Sequence, residues 1–239
     1  MKPHETNVSI VIPAKNEAKS LKLFLPKLRA TYPDFEVILV NDGSTDDTSV
    51  ICKETGVKEI KHPYSKGNGA AIKAGAREAS RDIIVFMDAD HAFYAHQAMD
   101  LIDGIAKGRD LVIGSRVLGK MQPGALTAPQ KFGNQLASQL IQLIWREKVT
   151  DLGPFRAVSQ KALDKLAMQD QTFGWTIEMQ IKAFQYNLSV SEVAVDTRRR
   201  IGVSKISGTI KGTIGAGIGI LGMIAKLWWN QKKMLAVMS

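Results

Sequence analysis

Val8-Ser-Ile-Val-Ile-Pro-Ala-Lys-Asn-Glu17 begins as an apolar, β-branched run, is interrupted by a proline and continues into polar residues. A short apolar run of this kind predicts a buried strand that ends in a loop. A second run, Phe35-Glu-Val-Ile-Leu-Val40, is closed by Asn41-Asp42-Gly43-Ser44, whose residues favour turns. Three further strands are predicted at residues 57–60, 82–87 and 110–113.

Helical patterns separate these strands. The apolar spacing predicts helices near residues 16–31, 45–55, 68–80 and 95–107. Strands that alternate with helices, and that are apolar along most of their length, are typical of a mainly parallel sheet covered by helices on both faces. The first half of the sequence therefore predicts an α/β, Rossmann-like fold.

The second half of the chain has a different pattern. Helices are predicted near residues 129–145, 159–169 and 175–186, with an irregular stretch at 150–156 and a strand-like run at 188–195. No repeat or linker divides the chain, so we expect one domain over residues 1–205. A glycine-rich, apolar helical tail is expected to follow at residues 206–239.

Composition narrows the classes of function. The chain has 239 residues, of which 45% are hydrophobic and 23% charged, and this balance excludes a disordered polyelectrolyte. The single cysteine, Cys52, excludes a disulfide scaffold and a zinc site built from cysteines. Together with the lack of a secretory pattern in the first ten residues, it predicts a cytoplasmic location. The net charge of +9 suits nucleic acid, phosphorylated substrates or an anionic membrane, and does not distinguish among them.

Two carboxylates, in Asp88-Ala-Asp90, directly follow the predicted strand at 82–87. In an open parallel sheet, ligands bind at the carboxyl ends of the strands. A divalent cation such as Mg²⁺ usually takes one or two carboxylates together with water and substrate phosphates. We therefore expect Mg²⁺ or Mn²⁺ at Asp88 and Asp90, where it would neutralise the charge on a departing diphosphate.

Four motifs together resemble family 2 glycosyltransferases, which are inverting enzymes that use nucleotide sugars. The motifs are residues 8–17, Val40-Asn-Asp-Gly-Ser-Thr-Asp-Asp47, Lys66-Gly-Asn-Gly-Ala-Ala71 and Phe86-Met-Asp-Ala-Asp90, in the order and spacing of the family. Gly114-Ser-Arg116 and Gly153-Pro-Phe-Arg156 extend the likeness toward the branch that transfers sugars to polyprenyl phosphates.

The resemblance implies a GT-A fold and a UDP- or GDP-linked sugar donor. The implied nucleotide site consists of Pro13, Ala14, Glu17, Asp42, Lys66, Gly67 and Asp88. One departure concerns the metal. The lipid-phosphate branch often has a glutamine two positions beyond the second aspartate as a third metal contact, whereas here Asp90 is followed by His91-Ala92-Phe93. His91 is a candidate substitute.

Two related enzyme classes are disfavoured. Lys66-Gly67-Asn68-Gly69 resembles part of a dinucleotide-binding fingerprint, but the third glycine is absent. A sugar nucleotidylyltransferase would share the α/β architecture, yet the glycine- and arginine-rich loop expected after its first strand is replaced by Pro-Ala-Lys-Asn-Glu17.

A basic cluster, Arg198-Arg199-Arg200 with Lys205 close behind, predicts a phosphate site, because arginine binds phosphate bidentately. It would serve the donor diphosphate or a phosphorylated acceptor. We expect Arg200 to act in catalysis, and Arg198, Lys205 and the more distant Arg156 to bind phosphate. A solvated basic edge is the alternative interpretation. Nucleic acid is disfavoured as a partner, since the chain has no interleaved aromatics and no recognisable reading motif.

The general base is left open. Transfer to a hydroxyl needs a base within hydrogen-bond reach, whereas a phosphate oxygen is already anionic. Asp151 and Glu178 are the two acidic candidates, and the third possibility is that no base is used. His62, His91 and His96 are expected at the surface or behind the site.

The C-terminal run at residues 212–229 carries a single charge, Lys226, and would span about 27 Å as a helix, just under a hydrocarbon core. Trp228-Trp229 followed by Lys232-Lys233 is typical of a membrane interface with anionic headgroups. We therefore expect an interfacial or re-entrant helix at the inner face of the membrane. Glycines at four-residue spacing also allow a buried helix or one that forms homo-oligomers.

Two functional hypotheses follow. The first is a metal-dependent inverting transferase that moves a hexosyl group from a nucleotide diphosphate sugar to an acceptor, with a polyprenyl phosphate as the candidate. The alternative is a membrane-docked subunit that binds nucleotide sugars or assists assembly without turnover, because His91-Ala92-Phe93 departs from the family pattern.

Overall fold

The computed structural model describes residues 7–172, 174–202 and 210–238. In this part of the chain, seven strands form one sheet in the order β3-β2-β1-β4-β6-β5-β7. In chain order the strands are β1 (Val8–Ala14), β2 (Glu36–Asp42), β3 (Lys58–His62), β4 (Ile83–Phe86), β5 (Leu111–Ser115), β6 (Arg156–Ser159) and β7 (Val190–Ala194). The α-helices are α1 (Ala18–Thr31), α2 (Thr48–Thr55), α3 (Asn68–Glu78), α4 (Ala98–Ala106), α5 (Ala128–Trp145), α6 (Gln160–Leu166), α7 (Trp175–Gln185) and α8 (Ile210–Met238).

The predicted α/β architecture is confirmed. β1 lies at the centre of the parallel part of the sheet, with Ile10 paired to Val37 of β2 and to Val85 of β4. Helices cover both faces of the sheet. Successive side chains of β1 point to opposite faces, so β1 contributes apolar side chains to the core on each side. Ile10 and Ile12 pack in a cluster with α1 and α4, while Val11 packs with α3, α6 and α7 on the other face.

One strand was not predicted from the sequence. β6 runs antiparallel between β4 and β5, and its Ala157 pairs with Val85 on one side and with Val112 on the other. Arg-Ala-Val-Ser159 has no apolar run of its own, which is why the sequence indicated an irregular stretch followed by a helix. It becomes a strand because the edges of β4 and β5 present backbone groups that require partners when buried.

The C-terminal helix α8 packs on the domain through one face. Its Met223, Ile224 and Leu227 are buried in a cluster shared with α5 and α7. Trp145 of α5 also donates a hydrogen bond of 2.7 Å from Nε1 to Gln231 Oε1 of α8. Within the described ranges, no helix combines the length and apolar character needed to cross a bilayer. The predicted boundary between residues 205 and 206 lies outside the described residues.

Candidate active site

Three cavities meet at the carboxyl ends of β1, β2 and β4, and Asp88 and Arg200 line all of them. We treat them as three lobes of one cleft, with volumes of about 340 Å³, 210 Å³ and 320 Å³ for the first, second and third lobe. The first lobe is further lined by residues that include Pro13, Glu17 and Asp42, the second by Phe93, Arg116 and Arg198, and the third by Arg116, Trp175 and Ile220. The cleft lies where open α/β sheets bind ligands.

The first lobe gathers most of the residues expected to bind the nucleotide. Those that line it are Pro13, Ala14, Glu17, Asp42, Gly67 and Asp88. Lys66 is the exception, because its side chain is exposed and its Nζ lies 5.9 Å from the ring centroid of Tyr64. The backbone N–H of Lys66 contributes to the lobe indirectly, through a hydrogen bond to Asp42.

Asp42 organises the loop that forms one wall of the first lobe. Its Oδ1 accepts hydrogen bonds from His62 Nδ1 and the Lys66 amide, both at 2.8 Å, and its Oδ2 accepts from Ser65 and the Gly67 amide. Burial acts to raise the pKa of Asp42, but these hydrogen bonds outweigh it and hold the pKa below its usual range. The His62 ring is buried behind the carboxylate, as expected for a histidine behind the site.

Gly43 allows this loop to approach the end of β2. It adopts a φ of +68°, and a Cβ there would lie 2.7 Å from backbone atoms of Tyr64 and Ser65. Both the left-handed conformation and the lack of space require glycine. The turn recognised in the sequence as Asn41-Asp42-Gly43 therefore fixes the loop against the strand end.

Asp88 and Asp90 leave the end of β4 and face Arg200. Asp90 Oδ2 lies 3.4 Å from Arg200 Nη1, and its Oδ1 accepts a hydrogen bond of 3.0 Å from the Ala92 amide. Burial and the neighbouring Asp90 carboxylate raise the pKa of Asp88 to about 7, against the opposing effect of Arg200 and Arg116.

The two carboxylates fit a hard divalent cation, but they are not part of a larger ligand set. Among the described residues, no group of three or more His, Cys, Asp or Glu side chains could hold a metal. A pair of carboxylates suits Mg²⁺ or Mn²⁺ if water and substrate phosphates complete the shell. His91 does not add a ligand, since its ring packs edge-on against Phe24 of α1 at 5.9 Å between centroids and is not among the described lining residues.

The arginines of the basic cluster separate in the structure. Arg200 lines all three lobes and pairs with Glu17, at 3.3 Å between Nη2 and Oε1, as well as with Asp90. Arg198 lines the second lobe, where its Nε donates to the His91 carbonyl at 2.7 Å. Arg199 is directed elsewhere and donates to the Pro123 carbonyl. Lys205 lies outside the described residues.

Arg116 is a site residue whose role the sequence did not single out. It follows β5 and lines both the second and third lobes beside Asp88. Burial acts to lower the pKa of the Arg116 guanidinium, but its hydrogen bonds to Asp151 outweigh burial and raise the pKa. The signal in the sequence was Gly114-Ser-Arg116 directly after a predicted strand, which placed the arginine at the same edge as Asp88.

Three residues that the sequence predicted to act in catalysis or phosphate binding are instead held by hydrogen bonds and ion pairs within the protein. Asp151 is held in a bidentate pair with Arg116. Glu178 accepts hydrogen bonds from the backbone of Gln169 and Asp170, and pairs with Lys182 at 2.7 Å. These three residues, Asp151, Glu178 and Arg156, are not among the described residues that line the cleft.

Arg156, expected to bind phosphate, lies in the middle of the sheet. Its side chain is buried, with Nε donating to the Gly153 carbonyl and Nη1 to the Thr176 carbonyl. Burial lowers its pKa to about 9. Its unexpected position follows from β6, since the strand carries Arg156 between Phe86 and Ile113.

By its described lining residues, the third lobe is the one of the three that α8 lines. It lies between α5, the start of α7 and α8, and most of its wall is apolar or small. The residues on the α8 side are Ala216, Gly217 and Ile220. It thus connects the charged centre at Asp88 and Arg200 with the C-terminal helix.

Comparison with known proteins agrees with this geometry. The sequence model of a family described as Glycosyl transferase family 2 matches residues 9–167. An uncharacterized glycosyltransferase of Mycobacterium tuberculosis is 31% identical over 210 residues, which cover 87% of this chain and 93% of the relative. The undecaprenyl-phosphate mannosyltransferase of Micrococcus luteus is 28% identical over 232 residues, covering 92% of this chain and 95% of that protein.

Solved structures share the fold. Glucosyl-3-phosphoglycerate synthase from Mycobacterium tuberculosis, in complex with Mn²⁺, UDP and phosphoglyceric acid, has a TM-score of 0.74 at 19% identity. The match covers 93% of this chain and 78% of that chain. The family resemblance recognised from the four sequence motifs is thereby confirmed, as is the GT-A-like fold that it implied.

Proposed function

Because this chain belongs to glycosyl transferase family 2, we propose that it moves a hexosyl group from a nucleotide diphosphate sugar to a polyprenyl phosphate, with inversion at the transferred carbon. The observation that carries the proposal is the meeting of three unlike lobes at Asp88 and Arg200. The first lobe, beside the loop that Asp42 holds, suits a nucleotide, and the second, lined by Arg116, Arg198 and Arg200, suits phosphate groups. The third, which extends from these charges to α8, suits a lipid chain.

The donor occupies the first lobe in this proposal. Pro13 and Ala14 would contact the base and ribose, and Asp42 would act mainly by holding the Ser65–Gly67 wall in place. The donor is proposed to be a UDP- or GDP-linked sugar. Support comes from the structural neighbour that was solved with Mn²⁺ and UDP.

Asp88 and Asp90 are the proposed ligands of Mg²⁺ or Mn²⁺. The bound cation would supply stabilisation of the negative charge that develops on the leaving nucleoside diphosphate. Arg200 contributes from the protein side, because its guanidinium is already held between Asp90 and Glu17, next to the same phosphates.

A phosphate acceptor fits the state of the carboxylates in the cleft. The acidic residues among its described lining are Glu17, Asp42, Asp88 and Asp90. Glu17 and Asp90 pair with Arg200, Asp42 holds a loop, and Asp88 is a proposed metal ligand. An acceptor that is already anionic needs no general base, and Arg116 and Arg200 are suited to bind it.

The lipid part of the acceptor is proposed to lie in the third lobe and to leave it beside α8. Two relatives, the mannosyltransferase of Micrococcus luteus and a polyprenol monophosphomannose synthase of Mycolicibacterium smegmatis, carry a lipid acceptor in their names. In this chain the support is the wall formed by Ala216, Gly217 and Ile220. A Cβ added to Gly217 would meet nothing within 4 Å, so the space beside the α8 backbone is open at this position.

We further propose that the protein works at a membrane surface. Helices α5 and α8 pack together, and each exposes apolar side chains on its outer side. Leu143 of α5 is 77% exposed, and Ile218 and Trp229 of α8 are 68% and 57% exposed. Ile214, Leu221 and Trp228 are exposed on the same face of α8, at helical spacing from Ile218 and Trp229, so these five residues form an apolar stripe. A monomer in water rarely exposes such a stripe.

An anionic membrane fits this stripe better than a second copy of the chain does. Residues 210–238 include no aspartate or glutamate, whereas Lys226, Lys232 and Lys233 are exposed. Lys232 Nζ lies 4.4 Å from the ring centroid of Trp228, an arrangement suited to the headgroup region. Two copies joined through α8 would bring like charges together.

The function is tested by transfer from UDP- and GDP-linked hexoses to farnesyl phosphate in detergent, with Mg²⁺ or Mn²⁺. Thermal shift with each nucleotide, with and without metal, is measured in parallel. Metal-dependent stabilisation and glycosylated lipid phosphate are expected. Stabilisation without any turnover would favour the non-catalytic subunit, and the absence of both would contradict the transferase and its nucleotide site.

A further inference from the structure

Arg116 is fixed in the cleft by one carboxylate. Its Nε donates to Asp151 Oδ2 at 2.8 Å, and its Nη2 donates to Asp151 Oδ1 at 2.6 Å. The Arg116 amide donates to Asp151 Oδ2 as well. This side-on fork uses one edge of the guanidinium, and the opposite edge, formed by Nη1 and the second hydrogen on Nη2, remains suited to an anion.

Asp151 is itself held from β7. Glu192 Oε1 accepts hydrogen bonds from the amides of Thr150 and Asp151, at 3.0 and 3.2 Å. Glu192 Oε2 accepts from the Thr150 hydroxyl at 2.8 Å. The Thr150 hydroxyl also contacts Ser115, which directly precedes Arg116 in the chain. Glu192 therefore connects the strand next to β5 with the loop that carries Asp151.

Asp151 is badly placed to act on a substrate. The exposed fraction of its side chain is 1%, against 16% for Arg116. Both of its oxygens accept hydrogen bonds from Arg116. A general base must reach the proton that it removes, whereas a carboxylate that only orients an arginine can stay buried.

We propose that Glu192 and Asp151 are positioning residues for Arg116, which hold the free edge of its guanidinium toward the phosphate of the acceptor. The proposal rests on the proposed function, since it takes the lipid phosphate as the anion. Glu192 sets the Thr150–Asp151 backbone, Asp151 sets the guanidinium plane, and Arg116 makes the contact. Neither carboxylate touches the substrate or takes a proton.

Steady-state kinetics with farnesyl phosphate as the acceptor test the proposal. Asp151→Asn and Glu192→Gln keep the shape of each side chain and weaken its hydrogen bonds. We expect Asp151→Asn to raise KM for farnesyl phosphate about tenfold and Glu192→Gln about threefold, because an arginine–phosphate contact is worth a few kcal/mol only when it is aligned. KM for the nucleotide sugar should stay within about twofold.

The pH profile separates orientation from proton transfer. If Asp151 only positions Arg116, kcat in Asp151→Asn keeps the pH profile of the unaltered protein. A loss of kcat by about a hundredfold or more, with loss of the acidic limb and no change in KM for farnesyl phosphate, would identify Asp151 as a base and overturn the proposal.

A double-mutant cycle checks that Asp151 acts through Arg116. In Arg116→Lys, which keeps the charge but not the fork, adding Asp151→Asn should raise KM for farnesyl phosphate little further. If the effects of the two substitutions on KM for farnesyl phosphate are additive, Asp151 does not act through Arg116. Glu36→Gln is the matched control, because Glu36 holds the Ser80 amide at the opposite end of the sheet and should change stability without changing either KM.

The experiments distinguish failure of the proposed positioning role from failure of the proposed function. Suppose that the unaltered protein transfers sugar to farnesyl phosphate, and that Asp151→Asn and Glu192→Gln leave KM for farnesyl phosphate unchanged. This result would overturn only the positioning role of Glu192 and Asp151. If the unaltered protein binds a nucleotide sugar but does not bind farnesyl phosphate, the proposed lipid-phosphate acceptor is wrong, and so is the positioning role that depends on it.

Discussion

Arg200 Nη1 lies 3.4 Å from Asp90 Oδ2, so a side chain from the segment after β7 is paired with a carboxylate from the end of β4. The same guanidinium reaches Glu17 at the start of α1. Because 31% of the Arg200 side chain remains exposed, the pair is accessible from the cleft. The basic cluster and the carboxylate pair, recognised separately in the sequence, are therefore parts of one centre.

Arg200→Ala is expected to lower kcat/KM for the donor by about ten- to a hundredfold, because a hydrogen bond to a charged group contributes roughly 1.5–3 kcal/mol. Arg199→Ala is the matched control, since Arg199 is directed to the Pro123 carbonyl and should leave both KM values unchanged. If the two variants show the same dependence of rate on donor concentration, the cluster is only a solvated basic edge.

Asp90→Asn is expected to abolish transfer and leave the fold intact, because it removes an anionic ligand without a change in volume. Nucleotide in the presence of Mn²⁺ should then no longer stabilise the protein more than nucleotide alone in a thermal shift assay. Asp34→Asn, at an exposed position before β2, is the control. Full transfer by Asp90→Asn at saturating donor would show the metal assignment to be wrong.

The hydrogen bonds to Asp42 predict a pH-dependent contribution to stability. Because the pKa of Asp42 is lower in the folded chain than in the unfolded one, its contribution is present above the unfolded value of about 3.9 and is lost as the pH falls through the folded value. Asp42→Asn should therefore lower the free energy of unfolding at pH 7, and this deficit should shrink progressively as the pH falls below about 4. Urea denaturation at pH 7, 5 and 3.5 measures the difference, and a deficit that is constant with pH would contradict the role assigned to the carboxylate.

Cys52 is expected to be inert in the native protein. Burial, with the charge of Glu59, raises the pKa of its thiol to about 12, and its side chain is 1% exposed. A disulfide reagent at pH 8 should react slowly with the native protein and fully in denaturant. The variant that carries Cys52→Ala and Val50→Cys places a thiol on the exposed side of the same helix and should react at once. Fast native labelling of the unaltered protein would mean that α2 opens readily.

The apolar stripe on α8 predicts binding to anionic vesicles. Ile218→Asp with Trp229→Asp should reduce sedimentation with phosphatidylglycerol vesicles by about tenfold or more, because it places negative charge on the exposed apolar face that would contact the membrane. Val50→Asp is the control, at an exposed apolar position of α2. A change to a smaller oligomer, with unchanged vesicle binding, would show that the stripe joins copies of the chain.

Substitution at the surface is a better test here than removal of the tail. The domain boundary expected after residue 205 would make removal of the tail the simplest comparison. The structure buries Met223, Ile224 and Leu227 of α8 against α5 and α7, so such a truncation would expose this cluster. Loss of binding after truncation would then report unfolding as well as the loss of a membrane contact.

Local patterns in the sequence are enough to predict the parallel half of the sheet and the edge at which the candidate site lies. β1, β2 and β4 are runs of β-branched residues, and their patterns are read within a few positions along the chain. The polar residues that follow them, among them Asp42 and Asp88, are at the strand ends for the same local reason. The family motifs lie in this half, because the residues expected to contact the nucleotide belong to such short segments.

Which charged groups lie together depends on how the chain folds. β6 is a strand because it fits between β4 and β5, and that position buries Arg156 in the sheet instead of the cleft. Asp151 meets Arg116, and Arg200 meets Asp90, across long separations in sequence. Since a buried charge is stabilised only by partners brought to it by folding, the role of each of these residues depends on distances that no local pattern encodes.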